Sequence, residues 1–120
     1  MKNIFFYILL ASIFFSNIKF NAQSQSAAVL SVYTQSAKIS PEMAESVLRV
    51  EMTKTEQFNV IDKLDMNEIL EENQIDITNC YGKKCLLRVG KSAGVDKVIT
   101  GSIENLGKKI VITVKILDVA

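Results

Sequence analysis

A chain of 120 residues with 14 basic side chains, 13 acidic ones and no histidine carries a formal charge of +1. So small and near-neutral a chain suits one domain with a single core and has no electrostatic footprint for nucleic acid. Without histidine it also lacks the commonest general base and the usual partner of a serine or cysteine nucleophile.

The chain opens MKNIFFYILLASIFFSNIKFNAQS. Lys2 supplies a positive start, and Ile4 to Phe15 is an almost unbroken apolar run of about a dozen residues, the pattern of a secretory signal peptide. Residues 1–22 are therefore predicted to be a leader cleaved after Ala22, although Phe20 stands where a small residue is usual. A retained anchor is the alternative, but a spanning helix needs roughly 20 apolar residues. Export removes Lys2 and Lys19 and no acid, leaving twelve basic against thirteen acidic side chains. The mature chain is expected to be periplasmic or otherwise exported, meeting a membrane only through its leader or a partner.

Residues 23–26 read as a flexible start and residues 27–120 as one domain. Ala27 to Tyr33, AAVLSVY, is predicted to be a buried first strand. Ser40-Pro41-Glu42 is a strong helix start, with a capping hydroxyl, a proline suited to the first turn and an acid at the positive end of the dipole. That helix should run to about Lys54. Met43, Val47 and Val50 form one apolar row and Ala44, Leu48 and Met52 the next. Both rows are expected to face the core, so an acid at Val47 should be severely destabilising.

Phe58 to Ile61 reads as a short strand. Asp62 or Asp65 caps a second helix, Asp65 with Glu68 resembling a capping box. Leu64, Met66, Ile69 and Leu70 give its apolar side, and it ends near Glu72. After a polar loop a third helix runs from about Lys84 to Ala93. Cys85, Val89 and Ala93 should face inward with Leu86 beside them. Gly90 is expected to let this helix approach the sheet, and Gly94 to cap it. Asp96 to Glu104 and Lys109 to Val119 then form a hairpin around NLGK. Ile110, Ile112, Val114 and Ile116 alternate onto one face, predicted to be the well-buried one. The order is β-α-β-α-α-β-β. It implies an α/β (mixed α+β) fold, a small mixed sheet ending in an antiparallel hairpin with helices packed on it.

The only two cysteines, Cys80 and Cys85, lie in NCYGKKC. An exported chain lives where disulfides persist, so a bond between them is expected, with two buried or free thiols as the alternative. It would close a six-residue loop and contribute only about 2 kcal/mol. Two cysteines without histidine cannot fill a tetrahedral zinc site, and a redox pair would want the C-x-x-C spacing. No cofactor is predicted.

No G-x-S-x-G, Walker loop or G-x-G-x-x-G is present. VGKSAG, Val89 to Gly94, contains GKS, but Cys85 stands where a phosphate-binding loop needs its first glycine. No catalytic or metal-binding residue can be named. Tyr81, Lys83, Lys84 and Arg88 form a small basic cluster beside the cysteine loop. A solvated surface is one reading of it, a docking patch for an acidic partner the other.

The stretch from Ser40 to Val119 resembles a family of bacterial envelope proteins that includes the curli-secretion protein CsgG, the N-terminal domain of TolB and the penicillin-binding-protein activator LpoB. SVYTQSAKISPEMAESVLRVEMTKTEQFNVIDK is similar to the family's first strand, first helix and "F-x-V-hydrophobic-D-R" strand, with Lys63 in place of the arginine. LDMNEILEENQ is similar to its next helix. NCYGKKCLLRVGKSAGVDKVITGSIENLG resembles its cysteine-bearing variant, and KIVITVKILDV its closing strand. The resemblance implies a periplasmic α/β module that is not an enzyme. It would act in a transport or wall-assembly system by contacts with envelope proteins, self-association included. The alternative it implies is a subunit of a CsgG-like outer-membrane secretion complex. The tight NLGK connection and the lack of an acylated cysteine count against a pore. An enzyme is the third reading.

Overall fold

The computed structural model describes residues 23–35 and 37–120; the predicted leader lies outside them. The elements are β1 (Gln25–Val29), α1 (Pro41–Lys54), β2 (Phe58–Val60), α2 (Lys63–Glu72), α3 (Lys83–Ala93), β3 (Lys97–Leu106) and β4 (Lys109–Asp118). They form one four-stranded sheet in the order β2-β1-β3-β4. β1 is parallel to both β2 and β3, and β3 is antiparallel to β4. The mixed sheet and the element order are those the periodicities predict.

Helix starts follow their capping chemistry. The Ser40 hydroxyl accepts the Met43 N–H at 3.2 Å, and Pro41 opens α1. Asp62, not Asp65, caps α2, accepting the Leu64 and Asp65 N–H groups at 2.8 and 3.0 Å. Gly94 ends α3 in the left-handed region, as a C-terminal cap requires. At Gly90 a Cβ would stand 2.7 Å from Val98 Cγ2 and 2.8 Å from Val119 Cγ2. Only glycine lets α3 lie this close to the hairpin.

The first strand departs from its expected bounds. It begins at Gln25, so Gln25 and Ser26 belong to the sheet and not to a flexible start, and it ends at Val29. The chain then turns through Ser31, whose φ is 51°, and rejoins β3 at a bridge between Tyr33 and Ser102. The kink leaves the Val29 carbonyl, which points to the side of β2, beyond that short strand's end. Arg49 from α1 donates to it at 3.1 Å.

Strand alternation sends two sets of side chains to opposite faces. Ala28, Leu30 and Val98 meet Met66, Cys80, Leu86 and Val89 beneath α2 and α3, with Ile75 and Ile77 of the intervening loop packed on the same cluster. Ala27, Val29 and Ile99 meet Leu48, Met52, Phe58 and Val60 beneath α1. Among the described residues one face thus carries two helices and the other carries one. Four strands at ~4.8 Å spacing need two helices of ~10 Å diameter to cover them. α1 packs on β1 and β2 and over Ile99 of β3, and among the described residues no helix covers the β4 side of this face.

The structure corrects three sequence expectations. Ile110, Ile112, Val114 and Ile116 do share a face, but it is the bare one, and they are 49–68% exposed. Met43, Val47 and Val50 are likewise exposed, and only the Ala44–Leu48–Met52 row of α1 packs on the sheet. Leu64, expected on the apolar side of α2, is exposed as well. Periodicity identified the apolar rows correctly. The sheet is simply wider than the helix set on that face.

Candidate docking site

Cys80 and Cys85 are joined in a disulfide with Cα atoms 5.6 Å apart. Cys80 is buried in the larger core cluster. The bond therefore anchors the loop to the core and fixes its exposed turn, Tyr81 and Gly82, directly before α3. The Asx turn in which Asp76 Oδ1 accepts the Thr78 N–H at 2.8 Å shapes the approach to it.

Tyr81 projects from this anchored turn onto Tyr33. Their rings meet edge to face, with centroids 5.4 Å apart and planes at 83°. Such pairs add about 0.5–1.5 kcal/mol beyond their burial. Tyr33 is placed by the kink at Ser31, since its own N–H donates to Gly101 O at 2.9 Å and its carbonyl accepts from Ile103 N at 2.8 Å. Its hydroxyl is hydrogen-bonded to Gln35 Oε1.

The tyrosine pair forms a ridge between two open clefts. One, of about 240 Å³, is lined by Ser31, Thr100, Ser102, Glu104 and Lys115 together with both tyrosines. The other, of about 520 Å³, runs past Thr34, Gln35, Ile39, Pro41 and Asn79. The smaller cleft lies where β1 and β3 part. In open parallel sheets that carboxyl-end switch point is the usual position of a site. Thr100 Oγ1 donates to the Ser31 carbonyl at 3.1 Å and Ser102 Oγ to Glu104 at 3.3 Å, so the floor is polar and ordered. Sequence reading did not find Tyr33, because no local signal pairs residues 33 and 81.

Of the predicted patch, Tyr81 joins this ridge. Lys83 and Lys84 occupy the first turn of α3 and Arg88 the next, all exposed. Arg88 Nη2 lies 3.8 Å from Cys85 Sγ. The first turn of α3 holds no acid, and Gly82 provides no capping side chain. The positive end of the helix dipole and two lysines therefore reinforce one another.

Other chemistry is sparse. Among the described residues no group of three or more His, Cys, Asp or Glu is placed to hold a metal ion. Glu68, Glu71 and Glu72 lie exposed on α2. Among the described residues no helix is long and apolar enough to cross a membrane.

No family model matches the chain, and no curated protein matches it in sequence. Solved structures do match in fold. The LpoB C-terminal domain from Escherichia coli superposes with a TM-score of 0.64 at 12% identity, covering 80% of this chain and 73% of that one. The LpoB C-terminal domain from Salmonella enterica gives 0.61 at 10% identity, over 82% of this chain and 76% of that one. The solution structure of Escherichia coli LpoB gives 0.60 at 13% identity, over 80% of this chain and half of that one. At these identities the likeness is one of fold. It supports the LpoB part of the resemblance seen in the sequence and lends nothing to the CsgG and TolB parts.

Proposed function

We propose that this chain is a non-enzymatic binding module of the bacterial cell envelope, exported through its leader and acting by docking onto a protein partner of a wall-assembly or transport system. The observation that carries this reading is the disulfide-anchored ridge of Tyr33 and Tyr81 beside a cationic helix start. Tyrosine and arginine are among the side chains enriched where binding energy concentrates, and a fixed loop loses little entropy on docking. The charges of Lys83, Lys84 and Arg88 favour a partner with an acidic surface. The fold shared with LpoB supports an envelope role over enzymatic turnover. The CsgG-like alternative has no comparable support, and β3 and β4 are joined by the two-residue turn Gly107–Lys108 with no inserted hairpin.

A photo-crosslinking residue at position 81, expressed in intact cells, tests this. The expected result is a discrete adduct with an envelope protein, weakened when Lys83 and Lys84 are both changed to Glu. The same probe at Glu71, on exposed α2, should give none. Absence of an adduct at position 81, or the same adducts at both positions, would overturn the proposal.

A further inference from the structure

The edge of the sheet opposite β2 is β4, ten residues long, free of proline and paired to β3 in one unbroken register from Lys109 to Asp118. Among the described residues no strand pairs with its outer side, and such a row of open backbone groups templates pairing with another strand. The hairpin fixes which groups these are. Leu106 and Lys109 flank a two-residue turn, so they form a hydrogen-bonded pair and the pattern alternates from there. Odd-numbered residues of β4 bond to β3. The N–H and C=O groups of Ile110, Ile112, Val114 and Ile116 point outward, and these are the residues whose side chains make up the exposed apolar row.

We infer that β4 pairs antiparallel with β4 of a second copy of this chain, with Thr113 on the two-fold axis, making one continuous eight-stranded sheet. Self-complementarity selects both occupant and register. With Thr113 opposite Thr113 of the second copy, Ile110 faces Ile116 of the second copy and Ile112 faces its Val114, so the apolar rows align on one face. Lys108 comes opposite Asp118 of the second copy at both ends, where the Asp118 side chain is 64% exposed and already holds Lys97 at 3.0 Å. A shift by one residue would send the two apolar rows to opposite faces. A shift by two in one direction sets Lys109 against Lys115, and in the other sets Ile110 against Asp118. The two-fold arrangement closes on itself, and the paired outward groups supply eight backbone hydrogen bonds, two for each of the four facing pairs. Neither tyrosine of the ridge takes part in this interface, which shares only Lys115 with the adjoining cleft, so its failure would leave the docking proposal standing.

Thr113 lies at a non-hydrogen-bonded position, where facing Cα atoms come within ~4.5 Å, inside the range a disulfide spans. The test is oxidative crosslinking of Thr113→Cys and, as control, Val111→Cys, which faces Lys115 of the second copy and not itself. Sedimentation equilibrium of the parent chain and of Ile112→Lys accompanies it. The expected results are a parent of twice the chain mass, a covalent dimer from Thr113→Cys at least tenfold more abundant than from Val111→Cys, and an Ile112→Lys monomer that keeps a cooperative melt. Because Ile112 is 68% exposed, that variant should fold. A parent that stays monomeric, equal crosslinking at both positions, or a dimer that survives Ile112→Lys would each overturn the inference.

Discussion

Ser26 and Asp96, seventy residues apart, clasp each other at the entry to the sheet. Asp96 Oδ2 accepts the Ser26 N–H at 2.9 Å and its hydroxyl at 3.1 Å, while the Asp96 N–H reaches Ser26 Oγ at 3.0 Å. The clasp sets where β1 and β3 begin to pair. Carboxylate hydrogen bonds are stronger than neutral ones, and this pair is exposed, so Asp96→Ala should lower stability by about 1–2 kcal/mol. Urea unfolding would show it as a lower midpoint with an unchanged slope.

The disulfide should matter more for the loop than for the fold. Cys85→Ala opens a short loop and is expected to cost about 2 kcal/mol. A reductant should lower the parent's melting temperature and leave the variant's unchanged. If both respond equally, the bond is not the source of the difference.

The two rows of α1 should behave oppositely. Val47 is 54% exposed, so Val47→Asp is expected to change stability by no more than about 0.5 kcal/mol. Leu48 packs on the core beneath α1, and Leu48→Asp would bring an unpaired charge there and should prevent cooperative unfolding. Near-ultraviolet circular dichroism and thermal melts of the pair would separate them.

Burial pushes the Glu45 carboxyl above the usual carboxylate range, against the pull of hydrogen bonds from the backbone at Val32 and of Arg49. The folded chain therefore holds this proton at pH values where the unfolded chain has lost it. Stability from Glu45 is present below the unfolded value and falls as pH rises through the raised one. Glu42, Asp76 and Asp118 shift the other way, chiefly through hydrogen bonds, so only the difference between Glu45→Gln and the parent isolates the effect. The variant should be the more stable at pH 7, with the gap in urea midpoint narrowing toward pH 4. A gap that widens on acidification would contradict this.

Much of the fold was legible in the sequence. The cap at Ser40-Pro41, the stop at Gly94 and the alternation of β4 each report on a few neighbouring residues, and local chemistry decided them. What could not be read is long-range. Alternation shows that Ile110 to Ile116 share a face but not whether a helix lies over it; that depends on α1 sitting over β1 and β2. The same is true of the docking site. Tyr81 stood out because it lies between the cysteines, whereas Tyr33 reaches it only through a kink at Ser31 that no glycine or proline announces.

The envelope docking role rests on export, and the most direct measurement is the intact mass of the chain recovered from living cells after osmotic shock. The account predicts a released protein beginning at Gln23, about 2 Da lighter than its reduced form because the Cys80–Cys85 bond lacks two hydrogens. A full-length chain retained in the cytosol, leader attached and both thiols free, would contradict it.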